Sequence, residues 1–165
     1  MITFLKELFK LIGMLFSSKP SDFDSLELLH MKYFPFSGYK YMCWCGRLIY
    51  KDEDDLEYDM THNQTRWKID KNHEEIHLRK SKDYKFWIGY YLNYVWEWIK
   101  GNPFFKSAYY TNPHEMEAYA NEENLDYLLT YDSNNINKYK LSHRRKKWKE
   151  VGGTSYKWKR FIKTL

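Results

Sequence analysis

Apolar and polar residues alternate along the chain in several distinct rhythms. In residues 2–16 (ITFLKELFKLIGMLF) Ile2, Leu5, Phe9, Ile12 and Phe16 recur at steps of three and four, while Thr3, Lys6, Glu7 and Lys10 fall elsewhere on the wheel. That period predicts an amphipathic helix. Residues 17–25 (SSKPSDFDS) read as a linker, because Lys-Pro and the Ser/Asp cluster break a helix. Residues 39–50 (YKYMCWCGRLIY) are rich in strand formers, 51–57 (KDEDDLE) read as an acidic turn, and 58–69 as one or two returning strands. Residues 83–100 (DYKFWIGYYLNYVWEWIK) are apolar nearly all round, which predicts a core or interfacial helix ended by Gly101-Asn102-Pro103. Asn112-Pro113 then opens a further helix, with Pro113 in its first turn, Asn112 as its cap, and an expected end near Tyr131.

Between the second group of strands and the aromatic helix lies Asn72-His73-Glu74-Glu75-Ile76-His77, an H-E-x-x-H sequence. On a helix, residues four apart share a face, so His73 and His77 can offer both imidazoles to one metal ion. Glu74 sits about 100° further round, beside the ion rather than on it, where a general base for a metal-activated water belongs. Such a centre needs a third protein ligand. The helix opened by Pro113 carries three candidates, His114, Glu115 and Glu117.

Residues 73–79 (HEEIHLR) and 115–122 (EMEAYANE) together resemble the gluzincin metallopeptidases. These pair an H-E-x-x-H helix with a second helix that donates a Glu followed, three positions on, by a small residue. Here those positions hold Glu115 and Ala118. The chain is similar in particular to small gluzincin-like proteins of gut bacteria, and the likeness covers about its middle third. It implies an α+β, zincin-like fold in which a short sheet precedes the H-E-x-x-H helix, an aromatic helix and a Glu-donating helix. It also implies Zn²⁺ held by His73, His77 and Glu115, Glu74 as the catalytic base, and a peptide or protein as substrate. Many gluzincins carry an acid just after the small residue. Tyr119 stands there, so the support for a histidine ligand falls to Glu122 or Asp126. Tyr119 and Tyr127 are the candidate oxyanion donors.

Composition changes this picture in two places. Aromatic residues make up 20% of the 165, with 16 Tyr, 10 Phe and 7 Trp, against 30% charged residues. That excludes a disordered chain, despite a mean hydropathy of −0.81. Residues 138–165 hold 11 of the 27 basic residues and one of the 22 acids, Glu150. Trp148, Tyr156, Trp158 and Phe161 are interleaved among them. Three readings fit that tail: a final helix or hairpin packed on the body, an anionic membrane surface as partner, or nucleic acid as partner.

The domain reading is therefore an N-terminal helix and linker at 1–25, a zincin-like metal-binding domain at 26–137, and a basic aromatic segment at 138–165. Lys6, Glu7 and Lys10 interrupt the first helix as a signal sequence, and it is too short to span a bilayer. It either packs on the domain, lies in a membrane interface or acts as an atypical export signal. The expected location is cytoplasmic or membrane-peripheral. Cys43 and Cys45 read as buried strand cysteines rather than a disulfide or metal framework. Two other classes of function stay open: a non-catalytic binding module stabilised by zinc, and a peripheral membrane or nucleic-acid protein working through its ends.

Overall fold

The computed structural model of the chain describes residues 2–165. The protein is α+β and mostly helical, with one three-stranded sheet among the described residues. It divides into two compact units, Met1–Gly89 and Tyr90–Leu165. No described helix is long and apolar enough to cross a membrane.

The first unit begins with α1 (Ile2–Ser17), as the period of its sequence predicts. The face it packs is not the expected stripe. Leu11 and Met14 are buried, Phe4 stacks on Phe34 at 5.7 Å, and Trp44 Nε1 donates to the Leu11 carbonyl at 2.9 Å. Glu7 accepts from the backbone N–H groups of Lys32 and Tyr33 at 2.9 and 3.0 Å. The Ile2, Phe9 and Phe16 side of the helix faces outward, each of these residues being about 70% exposed. A helix apolar at most positions offers more than one packing face, and periodicity cannot say which of them the domain covers.

The sheet contains β1 (Glu27–His30), β2 (Tyr41–Trp44) and β3 (Arg47–Tyr50) in the order β1-β3-β2, with β1 parallel and β2 antiparallel to β3. The sequence reading did not anticipate β1. Central β3 buries both Leu48 and Ile49, neighbours that point to opposite sheet faces, so both faces are covered. A two-residue turn, Cys45-Gly46, joins β2 to β3 with both φ angles positive, +47° and +78°, the geometry whose twist matches a hairpin. A side chain at Gly46 would also run into the Phe23 ring.

The acidic turn and returning strands expected over 51–69 are helices instead: α2 (Glu53–His62) and α3 (Gln64–Ser81). The acids mark a helix start. Asp52 accepts from the Asp55 N–H at 3.0 Å, and Glu53, Asp54 and Asp55 line the positive end of the first turn. Buried Asp59 fastens α2 to β2, accepting from Tyr41 Oη at 2.7 Å and pairing with Lys40 at 2.6 Å. Burial pushes its carboxyl up, but the hydrogen bonds from Lys40 and Tyr41 outweigh that and hold it below the usual carboxylate range.

The second unit runs from within α4 (Trp87–Lys100) through α5 (Ser107–Tyr110), α6 (Pro113–Asn121), α7 (Arg144–Glu150) and α8 (Ser155–Ile162). α6 stops at Asn121 rather than near Tyr131. The Asn121 side-chain amide turns back to the Glu117 carbonyl at 2.7 Å, and a 3-10 turn follows at Tyr127–Thr130. Of the aromatics of the basic tail, Trp158 is core, Trp148 and Phe161 pack against it, and Tyr156 is exposed. Trp158 and Ile162 close on Met116 and Tyr139, and Trp158 Nε1 donates to the Tyr110 carbonyl at 2.7 Å.

α4 inverts expectation. Its one acid, Glu97, is buried, whereas Leu92, Val95, Trp96 and Ile99 are exposed. Glu97 meets the buried Arg144 at 2.9 Å, while the same guanidinium donates to the Glu97 and Thr111 carbonyls at 3.1 and 2.9 Å. Lys100 adds a 2.7 Å contact to the other carboxylate oxygen. Removing one partner of such a pair strands the other charge. Glu97→Ala is therefore expected to cost about 3–5 kcal/mol in urea unfolding, against at most a few tenths of a kcal/mol for exposed Glu57→Ala. Equal effects of the two changes would refute the role given to the pair.

Candidate metal centre

α3 is a polar helix whose polar residues are nonetheless interior: Asn72, His73, His77, Lys80 and Ser81 are buried with Ile76 and Leu78. Its solvent side carries pairs four residues apart, Arg66–Asp70 at 2.6 Å and Lys71–Glu75 at 3.3 Å. Such exposed pairs add little. On the interior side His73 and His77 aim their Nε2 atoms at one point, 3.3 Å apart, with the rings steeply inclined at 73°. Zinc holds imidazole nitrogens at about 2.0–2.1 Å in a tetrahedron, which sets two donors about 3.3 Å apart. The pair therefore has a spacing compatible with two ligands on one ion, and imidazole nitrogens suit zinc, copper, iron and nickel alike.

Glu74 is the next position round the helix, and it reaches the sheet. Its Oε2 accepts from the Cys43 backbone N–H at 2.8 Å. Cys43 stands opposite Leu48 between the hydrogen-bonded pairs of the hairpin, so its N–H points out of the open edge of β2. The sheet thereby sets the direction of the carboxylate. Burial, and then the Glu74 charge, push the Cys43 thiol well above its ordinary range. Cys43 is half-buried and Cys45 buried. Cys45 occupies the turn rather than the strand, so the two do not share a strand face as the sequence spacing suggested.

In the second unit, α6 opens as predicted. Asn112 Oδ1 accepts from the His114 N–H at 3.2 Å and Pro113 takes the first helical position. The three candidate third ligands, all buried, keep different company. Glu115 lies among tyrosines: Tyr94 Oη donates to its Oε1 at 2.8 Å, and Tyr109 and Tyr119, whose hydroxyls are 3.3 Å apart, stand in its field. Burial first, and the Glu115 charge second, push both phenols well above their ordinary range. They remain neutral O–H groups through the physiological range. Glu117 belongs to another network, accepting from Tyr127 Oη at 2.9 Å, which in turn accepts from Asn135 at 3.3 Å. His114 is bonded to Asn93 at 2.9 Å, with its ring against those of Tyr90 and Tyr94. Of the two proposed supporting acids, Glu122 is buried and Asp126 is exposed.

Tyr94 and Tyr109 were missed in the sequence, as was the Cys43 amide. A tyrosine in an apolar run reads as packing, and only its position reveals the hydroxyl as a carboxylate partner. A main-chain N–H leaves no residue signature at all. No protein-family model, curated protein or solved structure matches the chain.

The tyrosine–carboxylate pairs are testable by deletion of one oxygen. Tyr94→Phe and Tyr127→Phe should each lower unfolding stability by about 1.5–3 kcal/mol, the range for a hydrogen bond to a charged group. Exposed Tyr156→Phe should change it little. Chemical denaturation of the three variants makes the comparison.

Proposed function

We propose that the protein is a small zincin-like metallopeptidase in which His73, His77 and Glu115 hold one zinc ion and Glu74 is the catalytic base. The observation that carries this reading is the meeting of the two imidazole nitrogens at 3.3 Å on a buried helix face, beside a carboxylate fixed by an edge-strand amide. The donor set fits the ion, since two imidazoles and one carboxylate leave a fourth position for water. Peptide as the substrate class follows from the likeness of residues 73–79 and 115–122 to gluzincins.

Held by these residues, a zinc ion would supply Lewis acidity to a water at the site. The protein supplies the proton traffic and the shape. Glu74, anchored through Oε2, takes the proton of the attacking water on its other oxygen and delivers it to the departing amine nitrogen. Tyr94 fixes the Glu115 carboxylate through the bond to Oε1. Tyr119, held neutral, would be the hydroxyl donor for the negative charge developing on the carbonyl oxygen, whereas Tyr109 is bonded to Glu115. Tyr127 is committed to Glu117 and drops out as a donor.

Elemental analysis of the purified protein should find about one zinc per chain, and His73→Ala/His77→Ala should lose it. Stoichiometric zinc in that double variant would refute the site. Catalysis is tested separately. With substrates taken from an unbiased peptide-library digest, Glu74→Gln should keep its zinc and fold while cleavage falls by about 10²–10⁴, the usual contribution of a general base. Full activity in that variant would overturn the role of Glu74. A wild-type protein that holds zinc and cleaves nothing would instead be a metal-stabilised binding module.

A further inference from the structure

The basic tail and the outward face of α4 build a second feature, independent of the metal reading. A cleft of about 450 Å³ is lined by Lys100, Leu141, His143, Arg144, Arg145 and Lys146, so that every polar side chain in it is a cation or a histidine. Its floor is rigid, because Arg144 is tied to Glu97 and to the Thr111 carbonyl. Glu97, which also takes Lys100, is the acid beneath it, and Glu150 stands 4.0 Å from Lys146 at the rim. Positive charge remains in excess.

Two of these cations also lie on exposed aromatic rings. Lys100 Nζ is 5.5 Å from the centre of the Trp96 ring, and the Arg145 guanidinium is 3.9 Å from that of Phe105. Beyond them Leu92, Val95 and Ile99 continue the exposed apolar stripe of α4, and Phe104 protrudes with 92% of its surface exposed. A solvent-facing stripe that ends in Trp and Phe beside a cationic cleft is the arrangement of an interfacial helix, with rings at headgroup depth and cations on the phosphates.

We propose that this face docks on an anionic phospholipid surface, with Phe104, Phe105 and Trp96 entering the interface and the cleft taking lipid phosphate. Charge and shape decide against other occupants. A second copy of the chain would bring two cationic clefts together. Nucleic acid would find planar stacking partners in Trp96 and Phe105 but none along Leu92, Val95 and Ile99, whereas acyl chains suit those side chains.

The experiment is sedimentation of the full-length protein with phosphatidylcholine vesicles, either pure or with about 30% phosphatidylglycerol. Binding is expected only to the anionic vesicles, weakening steeply as salt rises. Phe104→Asp and Arg145→Glu/Lys146→Glu should each reduce it about tenfold or more. Phe104 and Lys146 are exposed and Arg145 is half-buried, and unchanged thermal unfolding of the variants checks that the fold survives. Phe9→Asp/Phe16→Asp, on the outward side of α1, should retain unit-two docking. Equal binding to neutral vesicles would overturn the proposal. So would wild-type binding by both unit-two variants, loss of binding through the α1 variant alone, or binding to single-stranded DNA in place of vesicles.

Discussion

The burial of the polar face of α3 constrains the rest of the first unit. Imidazoles, an amide, an ammonium and a hydroxyl removed from water cost several kcal/mol unless each is bonded. The fold answers locally where it can. Ser81 Oγ donates to the Leu78 carbonyl at 2.6 Å, and Lys80 meets Asp83 at 3.2 Å. The sheet answers for Glu74 through the Cys43 amide. The hairpin is thereby more than a cover. Its register decides which N–H faces the helix, and a slip of one residue would withdraw it.

Three of the 16 tyrosines share one structural role. Three buried carboxylates each accept a phenol: Asp59 from Tyr41, Glu115 from Tyr94 and Glu117 from Tyr127. A neutral hydroxyl helps satisfy a buried carboxylate without adding a second charge that must itself be desolvated, although Asp59 also takes the half-exposed Lys40. The acid in turn keeps the phenol protonated, as the upward displacement of Tyr41 and Tyr127 records, although burial is the larger cause in both. Arg144 and Glu97 make the other arrangement, a buried ion pair, and that pair needs two carbonyls and Lys100 around it.

Charge inside and apolar surface outside recur in both units. α1 turns Ile2, Phe9 and Phe16 outward while Glu7 caps a loop, and α4 turns out Leu92, Trp96 and Ile99 while Glu97 goes in. A helix with two apolar faces can cover a core and still present a surface for something else. The cationic cleft beside Trp96 and Phe105 gives that surface on α4 a chemical preference, and among the described residues of its own unit the outward face of α1 has no comparable cleft.

Features set by short-range chemistry were legible along the chain. The period of α1, the four-residue spacing of His73 and His77, the Asn112-Pro113 helix start and the stop after Lys100 all appear in the structure where their residues place them. Each depends on neighbours within one or two turns. The second group of strands did not materialise, because the acids at 52–55 nucleate α2 once Asp52 caps it, and propensity alone did not weigh that cap. β1 was invisible, since four residues reading ELLH become a strand only when β3 offers them a parallel ladder. Which face of α1 or α4 is covered, which hydroxyl meets which carboxylate and which amide holds Glu74 were likewise decided in three dimensions. These contacts join residues 10 to 47 positions apart, and no local period encodes a partner at that range.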